Sequence, residues 1–309
     1  MSTVLISGGT GLVGQRLSAA LSQRGYEVML LSRSEATDFT YSTYKWNPEQ
    51  QEIAHDAISR ADYVVHLAGI NISEKRWTEA RKKQIIASRV KSGKLLVSSI
   101  QENDKKIKAF ISASAVGYYG GETRETIFIE NDSPASDFLG STCETWEKPA
   151  GAIAKQGIRS VVLRIGVVLA REGGALPKMI SPIKYGVGSA LGDGKQYIPW
   201  IHINDLVGIL LKSIEDEEMR GTYNAVAPES TNNESFMKLA ANILKKPYFM
   251  PKVPAGVLRL LLGEMSVIVL KGSRVSAKKI VKSGYEFIYP ELKMALRELL
   301  LDLPDEEVN

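Results

Sequence analysis

Short apolar, β-branched runs and amphipathic stretches alternate along the first part of the chain. Residues 3–7 (TVLIS), 27–31 (EVMLL), 62–69 (DYVVHLAG), 107–112 (IKAFIS) and 160–164 (SVVLR) have the length and composition of buried strands. Residues 15–24 and 75–90 have the mixed spacing of helices with one packed face. Further on, residues 176–184, 232–244 and 253–262 read as helices, the second capped by Thr231 or Asn232. Residues 199–205 read as a strand running into a helix capped by Asn204 or Asp205, and 221–227 as another strand. The glycine-rich segment 186–197 (GVGSALGDGKQY) reads as a lid or a substrate-facing loop. The pattern predicts an α/β chain with a parallel sheet. Its expected organisation is a first domain over residues 1–165, with strands contributed from beyond 165, interleaved with a smaller C-terminal α/β lobe over 166–309.

Composition narrows the classes. With 309 residues, 44% hydrophobic and 24% charged, the chain is neither disordered nor collagenous nor a disulfide-stapled miniprotein. Its single cysteine, Cys143, cannot form an intrachain disulfide, which suits either a reducing cytosol or an organelle matrix, and of the two a cytoplasmic location is expected. The opening MSTVLISGG lacks the features of a signal peptide. The most apolar stretch, 253–270, is interrupted by Arg259 and Glu264 before it reaches the ~18–20 apolar residues of a membrane-crossing helix, so no membrane is expected. A net charge of +4 is too small to imply nucleic-acid binding. No aromatic platform for stacking bases accompanies the basic residues of 75–90, so most of them read as a solvated face and nucleic acid is not an expected partner. His55, His66 and His202 have no ligand spacing, so no metal site is predicted.

Chemistry enters at the first turn. Gly8, Gly11 and Gly14, in the run GGTGLVG (8–14), fall between the first strand and the first helix. Glycines there let the chain reverse, aim its amides at a pyrophosphate on a helix N-terminus and pack the helix close to the strand. A dinucleotide cradle of Gly8, Thr10, Gly11, Leu12, Val13 and Gly14 is therefore expected, in a Rossmann-like doubly wound parallel sheet. A NAD-selective site places an Asp or Glu about 20 residues beyond the glycines to hold the ribose 2′-hydroxyl. Here the second strand ends in Ser32-Arg33-Ser34. With an arginine to pair with a 2′-phosphate and hydroxyls to donate to it, the predicted cofactor is NADP(H). Leu67, Ala68 and Gly69, beyond the third strand, are expected to line the adenosine or pyrophosphate side. His66 reads as a packed, hydrogen-bonded histidine.

Longer motifs follow: LSR (31–33), HLAG (66–69), KRWTEARKKQIIASRV (75–90), SASAVGYYG (112–120), TWE (145–147), LRIGVVLAREGGAL (163–176), YIPWIHINDLVGIL (197–210), YNAVAPE (223–229) and GYEFIYPEL (284–292). With the glycine turn they resemble, over nearly the whole chain, the atypical or extended short-chain dehydrogenase/reductases in their NAD-dependent epimerase/dehydratase branch. The match is closest to the epimerase family proteins, or cell-division-inhibitor-like nucleotide-sugar epimerases, whose substrate is not established. The resemblance implies a Rossmann-like N-terminal region, a small C-terminal lobe and NADP(H). It places Gln84 and Arg89 on the inner side of their helix as cofactor contacts, Arg89 toward the dinucleotide phosphates or substrate. It sets Ser112 and Ala113 above the nicotinamide, and packs Ile165 and Val168 against it, with Gly166 leaving room. Trp200 and His202 would pack in a segment that ties the lobes together.

Catalytically active relatives use a serine at the position of Ser114 to orient the reacting oxygen, with a tyrosine and a lysine four residues later to move the proton. This chain departs from that pattern. Cys143 and Glu147 stand at the matching positions, and no Tyr-x-x-x-Lys pair occurs between residues 118 and 160. Cys143 reads as a small buried helix residue, since its thiol would need a nearby cation to ionise. Glu147 reads as a base or as half of a salt bridge. Tyr118 and Tyr119, following Ser114 on the same loop, are the replacement acids predicted, with pocket walls as their other reading, and Tyr118 is the one expected to handle the proton. The expected function is an NADP(H)-dependent oxidoreductase or epimerase acting on a small polar or nucleotide-linked substrate. The alternative, favoured by the missing pair, is a non-catalytic NADP(H)-binding regulator or sensor. A small molecule is the expected partner, and a homodimer the candidate assembly.

Overall fold

The computed structural model describes residues 1–34, 40–103, 106–121 and 125–301. From the N-terminus run β1 (Thr3–Ser7), α1 (Leu12–Gln23), β2 (Glu27–Ser32), β3 (Ser42–Asn47), β4 (Glu52–Ile53), α2 (His55–Arg60) and β5 (Tyr63–His66). Then come α3 (Glu79–Gln101), β6 (Ala109–Ala115), a 3-10 turn (Val116–Tyr119), β7 (Ile127–Phe128), α4 (Phe138–Lys155) and β8 (Arg159–Ile165). They are followed by β9 (Val167–Leu169), α5 (Leu176–Lys184), β10 (Tyr197–Ile198), β11 (Trp200–His202), α6 (Ile203–Glu215), β12 (Gly221–Ala225) and β13 (Thr231–Asn232). The chain closes through α7 (Asn233–Ile243), α8 (Ala255–Leu262), α9 (Val267–Leu270), β14 (Arg274–Val275), α10 (Lys278–Lys282) and α11 (Leu292–Leu300).

The central sheet has eight strands in the order β12-β8-β6-β5-β1-β2-β3-β4. Pairings β1–β2, β1–β5, β2–β3 and β5–β6 are parallel, and the short β4 closes the edge as an antiparallel hairpin with β3. Every residue of β1 is buried, as its unbroken apolar run requires of a strand covered on both faces. The chain leaves β1 outward to β2 and β3 and returns to β5 on the other side. The crevice at the carboxyl ends of β1 and β5 is therefore the topological switch point of this sheet, where open α/β sheets take ligands. This is the Rossmann-like α/β architecture expected from the strand and helix pattern.

Two compact units divide the chain. The first comprises Met1–Tyr118, Pro134–Arg164 and Val207–Tyr223. Its core joins Leu5, Met29, Leu31, Val64 and Phe110 of the sheet to Leu95, Leu96 and Ile100 of α3 and Ala150 and Ile153 of α4. The second takes Tyr119–Ser133, Ile165–Leu206 and the chain from Asn224 onward. Its core packs Leu176, Ile180 and Ile183 of α5, Phe236 and Met237 of α7, and Leu292 and Leu296 of α11 around Trp200. Within it the buried Asp205 carboxylate accepts from the amides of Ile288 and Tyr289 at 2.8 and 3.0 Å and from the Tyr285 hydroxyl at 3.1 Å. That web fixes the GYEFIYPEL segment.

Helix starts differ from the pattern where a cap decides them. Gly11 serves as N-cap of α1, so the helix opens at Leu12. Thr78 caps α3, its Oγ1 accepting from the Arg81 amide at 3.1 Å, which leaves 75–78 outside the helix. Asn232 caps α7 as expected. The expected cap of α6 is corrected: the Asn204 amide donates to His202 Nδ1 at 3.1 Å. Asp205 is not free to cap, because its oxygens already hold the 285–289 segment.

Candidate functional site

The first strand, its turn and its helix build a cradle whose glycines are needed sterically. Gly8 has φ +77°, and a Cβ there would lie 2.9 Å from the Ala68 nitrogen and the Leu67 carbonyl carbon. A Cβ on Gly14 would come within 2.4 Å of the Gly8 oxygen, so α1 can approach the turn only because residue 14 is glycine. Neither an N-cap side chain nor an acidic residue occupies the first turn of α1. Its unpaired amides and the positive end of its dipole are thus available to an anion. Thr10 and Gly11 are exposed there, and Leu12 and Val13 half-buried. At the end of β2, Ser32 is buried and Arg33 exposed, and among the described residues Ser32-Arg33-Ser34 contains no carboxylate. This turn fits a pyrophosphate, and this strand end fits a phosphorylated ribose.

Beyond β5, the backbone of Leu67 and Ala68 lies across the switch point against Gly8, and Gly69 follows them. His66 is fully buried, with Nδ1 2.7 Å from Ser7 Oγ and Nε2 3.3 Å from Ser92 Oγ. Burial, assisted by Arg89, pushes its pKa down to about 4, so it is a neutral brace joining β1, β5 and α3. Arg89 turns inward from α3, donating to the carbonyls of Ile85 and Ile70, each at 3.1 Å, and stacking on Trp146 at 4.5 Å. A Cβ on Gly69 would lie 3.1 Å from the Arg89 guanidinium carbon, so that glycine leaves room for the cation. Desolvation lowers the Arg89 pKa to about 10, and it stays charged at neutral pH. Gln84, by contrast, is exposed and lies beside Arg81.

The end of β6 carries the second part of the site. Ser112, paired in register with His66, and Ala113 are buried. Ser114 Oγ donates to Glu147 Oε1 at 2.7 Å. Arg164, closing the apolar run of β8, grips the same carboxylate with two bonds, Nε to Oε1 at 2.8 Å and Nη2 to Oε2 at 2.9 Å. The Tyr118 ring lies against that guanidinium, 3.3 Å from its carbon to the ring centre. Burial pushes the Tyr118 phenol up, Arg164 opposes the shift and Glu147 adds to it. At neutral pH Tyr118 is a protonated phenol held beside a cation. Cys143 is buried one turn from Glu147, and burial, then Glu147, pushes its thiol up to about 12. It is a packed thiol that stays protonated at neutral pH. The Trp146 indole N–H is buried without an acceptor among the described residues.

Arg164 was not singled out by sequence reasoning. The indication was present, since a charge ending an otherwise apolar buried strand requires a counter-ion. Tyr119 parts from its neighbour: its hydroxyl donates to Asn224 Oδ1 at 2.7 Å and its ring stacks on Phe128, in the second unit. Ile165 ends β8 and Val168 pairs in register with Ile201; both are half-buried residues of the second unit.

Comparison with known proteins places this geometry. A model of the NAD dependent epimerase/dehydratase family matches residues 4–225, and a domain of unknown function, DUF1731, matches 253–299. Epimerase family protein YfhF of Bacillus subtilis (strain 168) is 37% identical over 305 residues, covering 97% of this chain and 98% of that protein. The crystal structure of human epimerase family protein SDR39U1 with NADPH matches with a TM-score of 0.86 at 32% identity, over 97% of this chain and 100% of that one. The nucleoside-diphosphate sugar epimerase from Corynebacterium glutamicum matches with a TM-score of 0.78 at 31% identity, over 96% of this chain, which spans 58% of that one. With a family model spanning most of the chain and relatives matched end to end, the chain belongs to the NAD dependent epimerase/dehydratase family.

Proposed function

We propose that the protein is a cytoplasmic NADP(H)-dependent oxidoreductase or epimerase of the short-chain dehydrogenase/reductase type, acting on a small polar or nucleotide-linked substrate. The observation that carries the reading is the glycine cradle: a steric fit at Gly8 and Gly14, an uncapped α1 N-terminus, and Ser32-Arg33 where a NAD-selective site would carry a carboxylate. The NADPH bound in the human relative supports the same choice. When bound, NADP(H) supplies a hydride donor or acceptor. The chain's own residues then divide the remaining work. The α1 amides hold the pyrophosphate, and Arg33 with Ser32 holds the 2′-phosphate. Ser114 donates its hydroxyl hydrogen bond to Glu147, so it turns lone pairs toward the substrate and orients a donor such as a hydroxyl. Tyr118, neutral at working pH and stacked on Arg164, is the group that exchanges a proton with the reacting oxygen.

A second reading rests on one observation. The position that would carry the lysine in active relatives holds Glu147, locked to Arg164 and Ser114. That favours a binding protein that senses NADP(H) without turnover. The test is to purify the protein, identify any copurified nucleotide, titrate NADPH, and follow NADPH absorbance against a panel of carbonyls and sugar nucleotides with Ser114→Ala and Tyr118→Phe. Turnover lost in both variants is expected. Binding without turnover across the panel supports the sensor, turnover untouched by both substitutions removes Ser114 and Tyr118 from the chemistry, and failure to bind NADPH overturns the proposal.

A further inference from the structure

Lys45 stands opposite the residue that ends β2. The parallel register pairs Leu30 with Thr43, Leu31 with Tyr44 and Ser32 with Lys45, and paired residues of neighbouring strands share a face. Leu31, Tyr44 and Trp46 pack into the core of the first unit. Leu30, Ser32, Thr43 and Lys45 therefore lie on the opposite face. On that face Leu30 meets the glycine turn, because a Cβ on Gly9 would lie 2.5 Å from Leu30 Cδ2. Lys45 is thus an exposed cation on the glycine-turn side of the sheet, at its carboxyl edge, one strand from Ser32. Neighbouring strands are about 4.8 Å apart, well within the sweep of a lysine's four-carbon stem.

We propose that Lys45 is a second cation for the cofactor's 2′-phosphate, acting with Arg33 and the Ser32 hydroxyl, so that selectivity for NADP(H) is built on β3 as well as β2. The inference rests on the NADP(H) reading above and extends it to a residue that the strand-end motif does not contain. A 2′-phosphate near neutral pH offers three oxygens and close to two negative charges. A planar guanidinium takes two of those oxygens and a compact ammonium the third. NAD presents a neutral hydroxyl at the same place, to which an ammonium at the sheet edge adds little.

The test is calorimetric titration of the wild type, Lys45→Met and Lys45→Arg with NADPH, NADH and the fragments 2′,5′-ADP and 5′-ADP, at low and high salt. Lys45 is exposed, so circular dichroism should show all three folded alike. Lys45→Met should weaken NADPH and 2′,5′-ADP about tenfold, the loss of one charge-assisted contact, and leave NADH and 5′-ADP within about twofold. Lys45→Arg should keep most of the NADPH affinity. Salt should weaken NADPH less in Lys45→Met than in the wild type. Equal losses for NADPH and NADH, or a Lys45→Met protein that binds NADPH as the wild type does, overturn the Lys45 assignment alone. A wild type with no preference for NADPH overturns the cofactor reading, and the Lys45 role with it.

Discussion

Replacing Arg164 by methionine tests whether the Ser114–Glu147–Arg164 cluster is one mutually dependent unit. The Arg164 side chain is 4% exposed and that of Glu147 14%, and bonds of 2.8 and 2.9 Å join them. Methionine keeps much of the apolar stem volume but leaves the Glu147 carboxylate buried with the Ser114 hydroxyl as its remaining hydrogen-bond partner among the described residues. At an effective dielectric of about 20 and a charge separation of about 4 Å, the lost attraction is about 4 kcal/mol. That agrees with the roughly 3–5 kcal/mol typical when one partner of a buried pair is removed. Arg164→Met should therefore lose about 3–5 kcal/mol in urea unfolding followed by far-ultraviolet circular dichroism, with an unchanged slope against urea. The double variant Arg164→Met/Glu147→Leu should recover most of that loss, because apolar residues replace a buried ion pair at little cost. A loss below about 1 kcal/mol in Arg164→Met, or additive losses in the double variant, would refute the reasoning.

Three further outcomes are expected. Arg33→Glu should weaken NADPH selectively in a fluorescence titration, and equal weakening of NADH would remove Arg33 from the 2′-phosphate site. Cys143, its thiol pushed up to about 12, should react with a disulfide reagent at pH 8 about a hundredfold more slowly in the folded protein than in urea; comparable rates would show an accessible thiolate. His66 is held at about 4 in the fold against its ordinary 6.5, so the unfolded chain binds the proton first as pH falls. Its contribution is whole above about pH 6.5 and is lost as the pH drops toward 4, about 3 kcal/mol over that window. Stability of His66→Gln should fall less steeply over the same range, and identical slopes would show that His66 is not the titrating group.

The glycine turn and the end of β2 were legible because their information is local. Gly8, Gly11, Gly14, Ser32 and Arg33 lie within one strand–turn–helix–strand passage, where the spacing of residues along the chain is already their spacing in space. The sequence alone likewise carried the strand and helix alternation and the loss of the tyrosine–lysine pair, both read from order and identity. What replaced that pair was decided by tertiary structure. Ser114, Tyr118, Glu147 and Arg164 come from the end of β6, the turn after it, α4 and β8, and no local pattern shows that these ends converge. Lys45 depends on a register, since a slip of one residue between β2 and β3 would turn it into the core and Trp46 out of it. The cap of α6 passed from Asp205 to His202 because the segment 285–289 had already claimed the Asp205 carboxylate. Local chemistry is set by neighbours along the chain, and a buried charge is set by whichever distant segment brings its counter-ion.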